Sequence, residues 1–340
     1  MTNWNISYED SRELENKVYI DLRSPIEYSC EHIPGSINLY LLNDEERKVV
    51  GKTYVNHSKE IAKAQAVSYV SKRLSYLVEK ILKYEHQYKN LVLYCQRGGY
   101  RSKSLVGLLN AIDIKVYRLE NGYKGYRKYV RDNLNKICEE VTLIVLSGNT
   151  GCGKTKILHM LKNRGYPVID LEDLAKHRGS NLGHVGLQPQ PSQKMFESLL
   201  LEEFLKYKDK IIFIEGESSK VGSLYLPKSL IQNMKKSYCI RVDSPFEHRV
   251  SNLVKDYGNT TLQNELIDSL NLLDGYISKD NIEKFQQKIL NGDLEVVAKE
   301  LCENYYDKKY KKRDANFSIL NTDEEKSVEE LISIYESKNI

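Results

Sequence analysis

One stretch restricts the fold of this chain more than any other. Val141-Thr-Leu-Ile-Val-Leu-Ser147 runs directly into Gly148-Asn-Thr-Gly-Cys-Gly-Lys-Thr155, and the helix-compatible run Lys156–Arg164 follows. A short continuous apolar run bounded by glycine reads as a strand buried on both faces, the kind found in parallel sheets. The glycines let backbone N–H groups close around phosphate oxygens, the lysine adds a point charge, and the last hydroxyl can ligate Mg²⁺. Gly148, Gly151, Gly153, Lys154 and Thr155 are therefore the phosphate-binding candidates. Strand, glycine loop and helix in this order call for an α/β domain with a parallel sheet. Cys152 inside the loop reads as a small filler residue.

Downstream of this P-loop, Lys210-Ile-Ile-Phe-Ile-Glu-Gly-Glu217 is a second strand of the buried type, ending in carboxylates. Its form makes Glu215 or Glu217 a candidate metal ligand or acid, although any strand can end in a surface acid. Tyr166-Pro-Val-Ile-Asp170 is a further strand ending in an acid. Between these lies a long polar stretch rich in Gly, Pro and Gln, from Asp173 to Gln193. Structureless stretches of such length in a compact domain tend to be functional loops. Arg178, Gly179, Ser180 and Gln193 are its candidate substrate-facing residues; a passive surface excursion is the plainer reading. The region from Thr261 to Ile340 reads as helical and charged. It includes the basic run Lys308-Lys-Tyr-Lys-Lys-Arg313, which suits either RNA phosphates or a solvated helix end.

The first half carries a different chemistry. Leu91-Val-Leu-Tyr94 is a short strand whose end opens Cys95-Gln-Arg-Gly-Gly-Tyr-Arg-Ser102, and a helix-compatible run to Ala111 follows. Such a turn brings backbone amides and a helix N-terminus to the sulfur, with Arg97 and Arg101 close in sequence. That setting stabilises a thiolate or another sulfur anion. A buried inert cysteine, the usual fate of a free one, has no need of two arginines and the Gly98–Gly99 pair. Earlier, Val18–Leu22 reads as a strand and Ser24-Pro25 as a helix start. Val67, Val70, Leu74, Leu77 and Ile81 mark one long amphipathic helix between His57 and Asn90. Strand and helix alternate here too, so a parallel-sheet α/β domain is expected, with the reactive group at a strand's C-terminal end.

At 340 residues the chain accommodates two cores. We place one domain at 1–133, a polar linker at 134–140, and the P-loop domain with its helical tail at 141–340. With 41% hydrophobic and 29% charged residues the composition is that of ordinary globular material. The apolar runs are too short to span a bilayer, so no membrane partner is expected. Met1–Lys17 has no basic n-region or apolar h-region, and the six cysteines form no C-x-x-C pair. Together these lead us to expect a cytoplasmic protein. A net charge of +4 tolerates an anionic partner without demanding one, and the 25 tyrosines suit either RNA stacking or a lineage-wide composition bias.

Four motifs in the first half resemble the rhodanese domain in order and spacing. They are Asp21-x-Arg23-Ser24-Pro25-x-Glu27-Tyr28, His32-Ile-Pro-Gly-Ser-Ile-Asn38, Cys95-x-x-Gly98-x-x-Arg101-Ser102 and Leu119-x-Asn-Gly122-Tyr123. The resemblance implies that Cys95 carries sulfur or selenium, held by the loop amides. Together with His177-Arg-Gly-Ser180, Gln188-Pro-Gln-Pro-Ser-Gln193, Glu215-x-Glu217-Ser218, Arg249-Val250 and Val50-Gly-Lys-Thr-Tyr54, nearly the whole chain resembles the tRNA 2-selenouridine synthase family. That resemblance implies a rhodanese-like domain fused to a P-loop NTPase-like domain. It also implies exchange of sulfur for selenium at the wobble 2-thiouridine of a tRNA anticodon. Selenophosphate and geranyl diphosphate would be the co-substrates, with a geranylated 2-thiouridine as intermediate. In such a scheme Cys95, as an S-selanylcysteine or persulfide carrier, acts with Arg97, Gly98, Gly99 and Arg101, and Mg²⁺ is a candidate at the P-loop. Two other classes suit the same motifs: an ATP-dependent sulfurtransferase acting on RNA, and a regulatory P-loop NTPase with an inert rhodanese module.

Overall fold

The computed structural model describes residues 4–309 and 314–338. The chain divides into two compact units, Met1–Asn133 and Leu134–Ile340.

The first unit is built on five parallel strands: β1 (Asn5–Ile6), β2 (Lys17–Asp21), β3 (Ile37–Asn38), β4 (Asn90–Tyr94) and β5 (Tyr117–Leu119). They lie in the order β1-β5-β4-β2-β3. Helices α1 (Tyr8–Arg12), α2 (Pro25–Cys30), α3 (Asp44–Asn56), α4 (Lys59–Ser71), α5 (Leu74–Glu85) and α6 (Tyr100–Ala111) belong to it, as does α7 (Gly122–Glu140) up to Asn133, where the second unit begins. Parallel pairing needs both faces covered, which is why β2 and β4 read as near-continuous apolar runs. Val18, Ile20, Leu91 and Leu93 pack with Leu77 and Ile81 of α5 and Leu105 and Leu109 of α6. The sheet order puts β4 in the middle, and its C-terminal end delivers Cys95.

The single helix expected over 57–90 is two helices. Ser58 Oγ accepts from the Glu60 and Ile61 amides to start α4. That helix stops at Ser71, and α5 restarts at Leu74. Leu77 and Ile81 are fully buried, whereas Val67 is 68% exposed. The apolar stripe is thus real only in its second half, where it reaches the sheet. The polar segment 134–140, expected as a linker, is helical and forms the end of α7. Leu134, Ile137, Cys138 and Val141 are buried at helical spacing, which charge content alone conceals.

The second unit has a parallel sheet of β6 (Thr142–Ser147), β7 (Val168–Ile169), β8 (Ile211–Glu215), β11 (Tyr238–Asp243) and β12 (Phe317–Leu320), in the order β12-β11-β6-β8-β7. The short β9 (Lys220–Val221) and β10 (Leu224–Tyr225) pair antiparallel as a separate hairpin. The helices are α8 (Lys154–Asn163), α9 (Leu171–Ala175), α10 (Gln193–Lys206), α11 (Lys228–Lys236), α12 (Phe246–Tyr257), α13 (Gln263–Ser269), α14 (Lys279–Leu290) and α15 (Leu294–Leu301). A π-helical turn over Cys302–Tyr306 leads to α16 (Asp307–Lys309), and α17 (Glu324–Lys338) closes the chain. Ile157, Leu158 and Leu161 of α8 share a core with Val328, Leu331 and Tyr335 of α17.

The tail is helical as expected and also contributes a strand, β12. Ile319, the β12 side chain facing the core, is 2% exposed and pairs in register with Val242. The basic run 308–313 lies, from residue 310 on, outside the described residues. The long polar stretch after Asp173 is no free arm either. Leu182 and Val185 are buried among Val250, Leu253, Leu266 and Leu270 of the helical cluster. Burial of two such side chains stabilises that docking by roughly 1.5–3 kcal/mol each.

Candidate functional site

The cysteine loop is held from three sides within the first unit. At the end of β4, Tyr94 is paired in register with Asp21 of β2. Asp21 and Arg23 form a fully buried ion pair at 2.7 Å, and Asp21 Oδ1 also accepts from the Arg23 amide at 2.9 Å. The guanidinium then donates to Gln96 Oε1 (3.1 Å) and to the Glu31 carbonyl (2.6 Å), and lies 4.2 Å from the Tyr123 ring centroid. The Asp-x-Arg motif is thus a strut under the residue that follows Cys95.

On the opposite side, the turn after β5 presses against the loop. Tyr123 N donates to the Cys95 carbonyl (2.9 Å), Lys124 N to Gln96 O (3.0 Å) and Arg118 Nη1 to Gly98 O (3.1 Å). Gly122 has φ +54°, and a Cβ there would stand 2.0 Å from the Cys95 oxygen. Only glycine permits that approach. Cys95 itself is 3% exposed, with its Sγ 3.2 Å from Ser102 Oγ in the first turn of α6.

The two arginines take different roles. Arg101 forks onto Glu27 at 2.8 and 3.3 Å, and Arg47 adds a 3.5 Å contact to the same carboxylate. Burial pushes the Glu27 carboxyl up, but the guanidinia outweigh it and hold the group below its ordinary range. The Arg101 charge is therefore compensated by Glu27, which sequence proximity to Cys95 did not reveal. Arg97 is exposed and makes no ion pair among the described residues.

In the second unit, side chains tie down the carbonyls of the P-loop. Arg249 Nε donates to Thr150 O (3.0 Å), Asn252 Nδ2 to Gly151 O (2.9 Å) and Asn321 Nδ2 to Cys152 O (2.9 Å). Asn149 Nδ2 donates to Asp307, which also pairs with Arg249 at 2.6 Å. Lys154 Nζ donates to Gly148 O at 2.8 Å. Its carbonyls are thus engaged by α12, by the residue after β12 and by Lys154, and within the loop the Cys152 N–H donates to Asn149 O at 3.3 Å. Gly151, at φ +80°, leaves 2.7 Å between a would-be Cβ and the Arg249 oxygen, so the loop can lie directly against α12.

The loop opens into a cleft of about 1090 Å³. Its lining is mixed: polar groups of Lys154, Thr155, Glu172, Glu217, Arg178 and Ser180 stand with the apolar and aromatic side chains of Ile231, Met234, Leu253, Tyr257, Tyr305 and Tyr306, and the Arg178 guanidinium lies 5.4 Å from the Tyr257 ring centroid. Thr155 Oγ1 donates to Glu172 Oε2 at 3.1 Å. A Cβ on Gly179 would stand 2.9 Å from one Glu172 oxygen and 3.0 Å from one Glu217 oxygen, so both carboxylates converge on that glycine. Burial first, then the charge of Glu217, push the Glu172 carboxyl up to about 8, and burial also raises Glu217.

Glu215 and Gln193 stand elsewhere. Glu215 is 1% exposed and accepts from the Leu171 and Glu172 amides at 3.1 and 3.2 Å. It holds the first turn of α9, and with it Glu172, without lining the cleft. Gln193 clamps the β10 backbone, accepting from Tyr225 N (2.9 Å) and donating to Tyr225 O (3.0 Å). Gln190 fixes β9 in a similar way, through Val221 O and Ser223 N. These glutamines shape the loop, while Arg178, Gly179 and Ser180 face the cleft.

Sequence reasoning missed Glu172, Asp307, Asn321 and the tyrosine wall. Glu172 had a usable signal: Asp170-Leu-Glu172 follows a strand end beside the P-loop strand, where ligand groups of parallel sheets collect. Asp170 itself is structural, capping α9 through the Asp173 amide (2.7 Å) and meeting His159 Nε2 at 2.7 Å. Asp307 and Asn321 had no signal, because only the folded tail brings them to the loop.

Comparison with known proteins agrees with this division. Residues 8–129 match the rhodanese-like domain, and residues 141–291 match the AAA domain of tRNA 2-selenouridine synthase. The tRNA 2-selenouridine synthase of Nitrosomonas europaea is 37% identical over 71% of this chain and 64% of its own length. That of Nitrosomonas eutropha is 38% identical over 70% and 62%. The match thus spans under two thirds of these two relatives. A third, from Hydrogenovibrio crunogenus, is 35% identical over 72% of this chain and 69% of its own length. The two domain matches, in this order, and the identity to these relatives place the chain in the tRNA 2-selenouridine synthase family.

Proposed function

We propose that the chain is a tRNA-modifying transferase that replaces sulfur by selenium at the wobble 2-thiouridine. Selenophosphate supplies the selenium, and geranyl diphosphate first converts the thiocarbonyl sulfur to a geranyl thioether. The observation that carries this reading is the mixed lining of the cleft. P-loop residues share it with Ile231, Met234, Leu253 and tyrosines, a combination that suits a diphosphate bearing an apolar chain.

In the prenyl step the uridine sulfur bonds to the carbon bearing the diphosphate, and the C–O bond breaks. The P-loop amides and Lys154 stabilise the departing negative charge. Thr155, Glu172 and Glu217 are hard oxygen donors of the kind Mg²⁺ takes alongside phosphate oxygens. No group of three or more His, Cys, Asp or Glu side chains stands in ligating geometry among the described residues. A cation here would therefore rely on these two carboxylates, the hydroxyl and the substrate. Bound there, Mg²⁺ would neutralise diphosphate charge. In the selenium step the selenium of selenophosphate bonds to C2 of the uridine as the C–S bond breaks and the geranyl thiol leaves, and water then cleaves the P–Se bond to release phosphate. Cys95, on the loop that leads into α6, is the thiol assigned to this delivery. No described helix is long and apolar enough to cross a membrane.

The test gives purified protein a thiolated tRNA, geranyl diphosphate and selenophosphate, and reads the mass of the modified nucleoside. The expected products are the geranylated nucleoside without selenophosphate and the selenium nucleoside with it. An unchanged nucleoside together with brisk ATP turnover would sink this function in favour of a nucleotide-driven enzyme. A Cys95→Ala variant that incorporates selenium at the normal rate would remove Cys95 from the chemistry.

A further inference from the structure

Tyr100 begins α6 immediately after Gly98 and Gly99, and its ring is 67% exposed at the rim of the cysteine loop. Lys63 of α4 holds its ammonium 5.1 Å from the centroid of that ring. Tyr54, 44% exposed, has the Lys59 ammonium 5.9 Å from its centroid in the same helical hairpin. Arg97, two residues beyond Cys95, is exposed on the loop itself. Five other tyrosines of this unit, Tyr8, Tyr19, Tyr94, Tyr123 and Tyr126, are buried in its core. Tyr100 is outside that core, and its contact with Lys63 is at the surface.

We propose that Tyr100 is the stacking platform for the unpaired RNA base on which the Cys95 loop acts, with Lys63 and Arg97 meeting the flanking phosphates. The proposal rests on the reading that RNA is the acceptor, and it adds the residue that holds the base. Cys95 is 3% exposed inside its loop, so a base stacked within an RNA strand cannot bring its 2-position to the sulfur. The base must leave its stack, and the stacking it loses has to be replaced by the protein. An exposed ring offers a π-face to any base, and cations beside the ring pair with the charges that accompany the base.

The test measures binding of the full chain to an anticodon stem-loop RNA carrying 2-thiouridine at the wobble position. Tyr100→Ala weakens binding by about 5- to 150-fold, and Tyr100→Phe, which keeps the ring, binds like wild type. Lys63→Gln weakens binding and lowers the salt slope by about one counterion. A duplex RNA lacking a loop shows no dependence on Tyr100. Tyr100→Ala binding the stem-loop as tightly as wild type overturns the platform and leaves the RNA acceptor standing. Failure of wild type to bind the stem-loop at all overturns both.

Discussion

Breaking the Asp21–Arg23 pair separates the stability of the first unit from the working geometry of its cysteine loop. Both side chains are essentially without solvent contact, at 0% and 1% exposure. Arg23→Leu leaves an unpaired carboxylate in the core, which costs about 3–5 kcal/mol. In the double variant Asp21→Leu/Arg23→Leu no charge remains. The backbone N–H of residue 23 still loses its 2.9 Å bond to Asp21 Oδ1, however, so a residual loss of about 1–3 kcal/mol is expected. Trp4 is the only tryptophan and lies in the first unit, so its fluorescence follows that unit during urea unfolding. With a slope of about 2 kcal/mol/M, the single variant lowers the midpoint by roughly 2 M and the double by roughly 1 M. Neither variant should support the proposed selenium transfer, because both lose the guanidinium bond to Gln96 that supports the residue after Cys95. A single-variant midpoint within about 0.3 M of wild type, or a double variant less stable than the single, would falsify the reasoning.

Three other perturbations probe the two sites. Gly122→Ala forces a Cβ to within 2.0 Å of the Cys95 carbonyl at a positive φ. It should abolish transfer, with Cys95 alkylation by iodoacetamide altered at least tenfold; unchanged alkylation would show that the loop tolerates the shift. Glu172 keeps a proton in the folded chain up to about 8, against an ordinary 4.5. The folded state therefore binds more protons than the unfolded one across that window, and stability falls as pH rises through it. Glu172→Gln should raise the thermal midpoint relative to wild type at pH 8 but not at pH 4.5, and a difference independent of pH contradicts this. Asp307→Ala removes the common partner of Asn149 and Arg249. It should weaken pyrophosphate binding by about tenfold, since a hydrogen bond to a charged group contributes ~1.5–3 kcal/mol; calorimetry showing wild-type affinity would rule out that bracing role.

The motif-bearing turns were legible in the sequence because their constraints are local. A glycine forced to positive φ, a capping serine and an apolar run bounded by glycine each act within a few residues. From these follow β4 with the Cys95 loop, β6 with the P-loop, and the parallel α/β character of both units. Where only composition was available, expectation and structure part. Residues 134–140 are polar in content yet carry a buried stripe of Leu134, Ile137 and Cys138. The tail is charged in content yet supplies β12 and Asn321. Val67 sits on the apolar period read from the sequence but is 68% exposed.

The sequence alone determined which groups the two glycine loops carry: a thiol after β4, and a lysine and a threonine at the start of α8. Tertiary structure decided which other groups reach them. It turned Arg101 onto Glu27, buried Glu215 under α9, put Glu172 beside Thr155, and braced the P-loop with Asp307 and Asn321 from the far end of the chain. Backbone geometry is written in neighbouring residues, but an ion pair or a hydrogen bond between distant ones exists only after the hydrophobic core has chosen which surfaces meet.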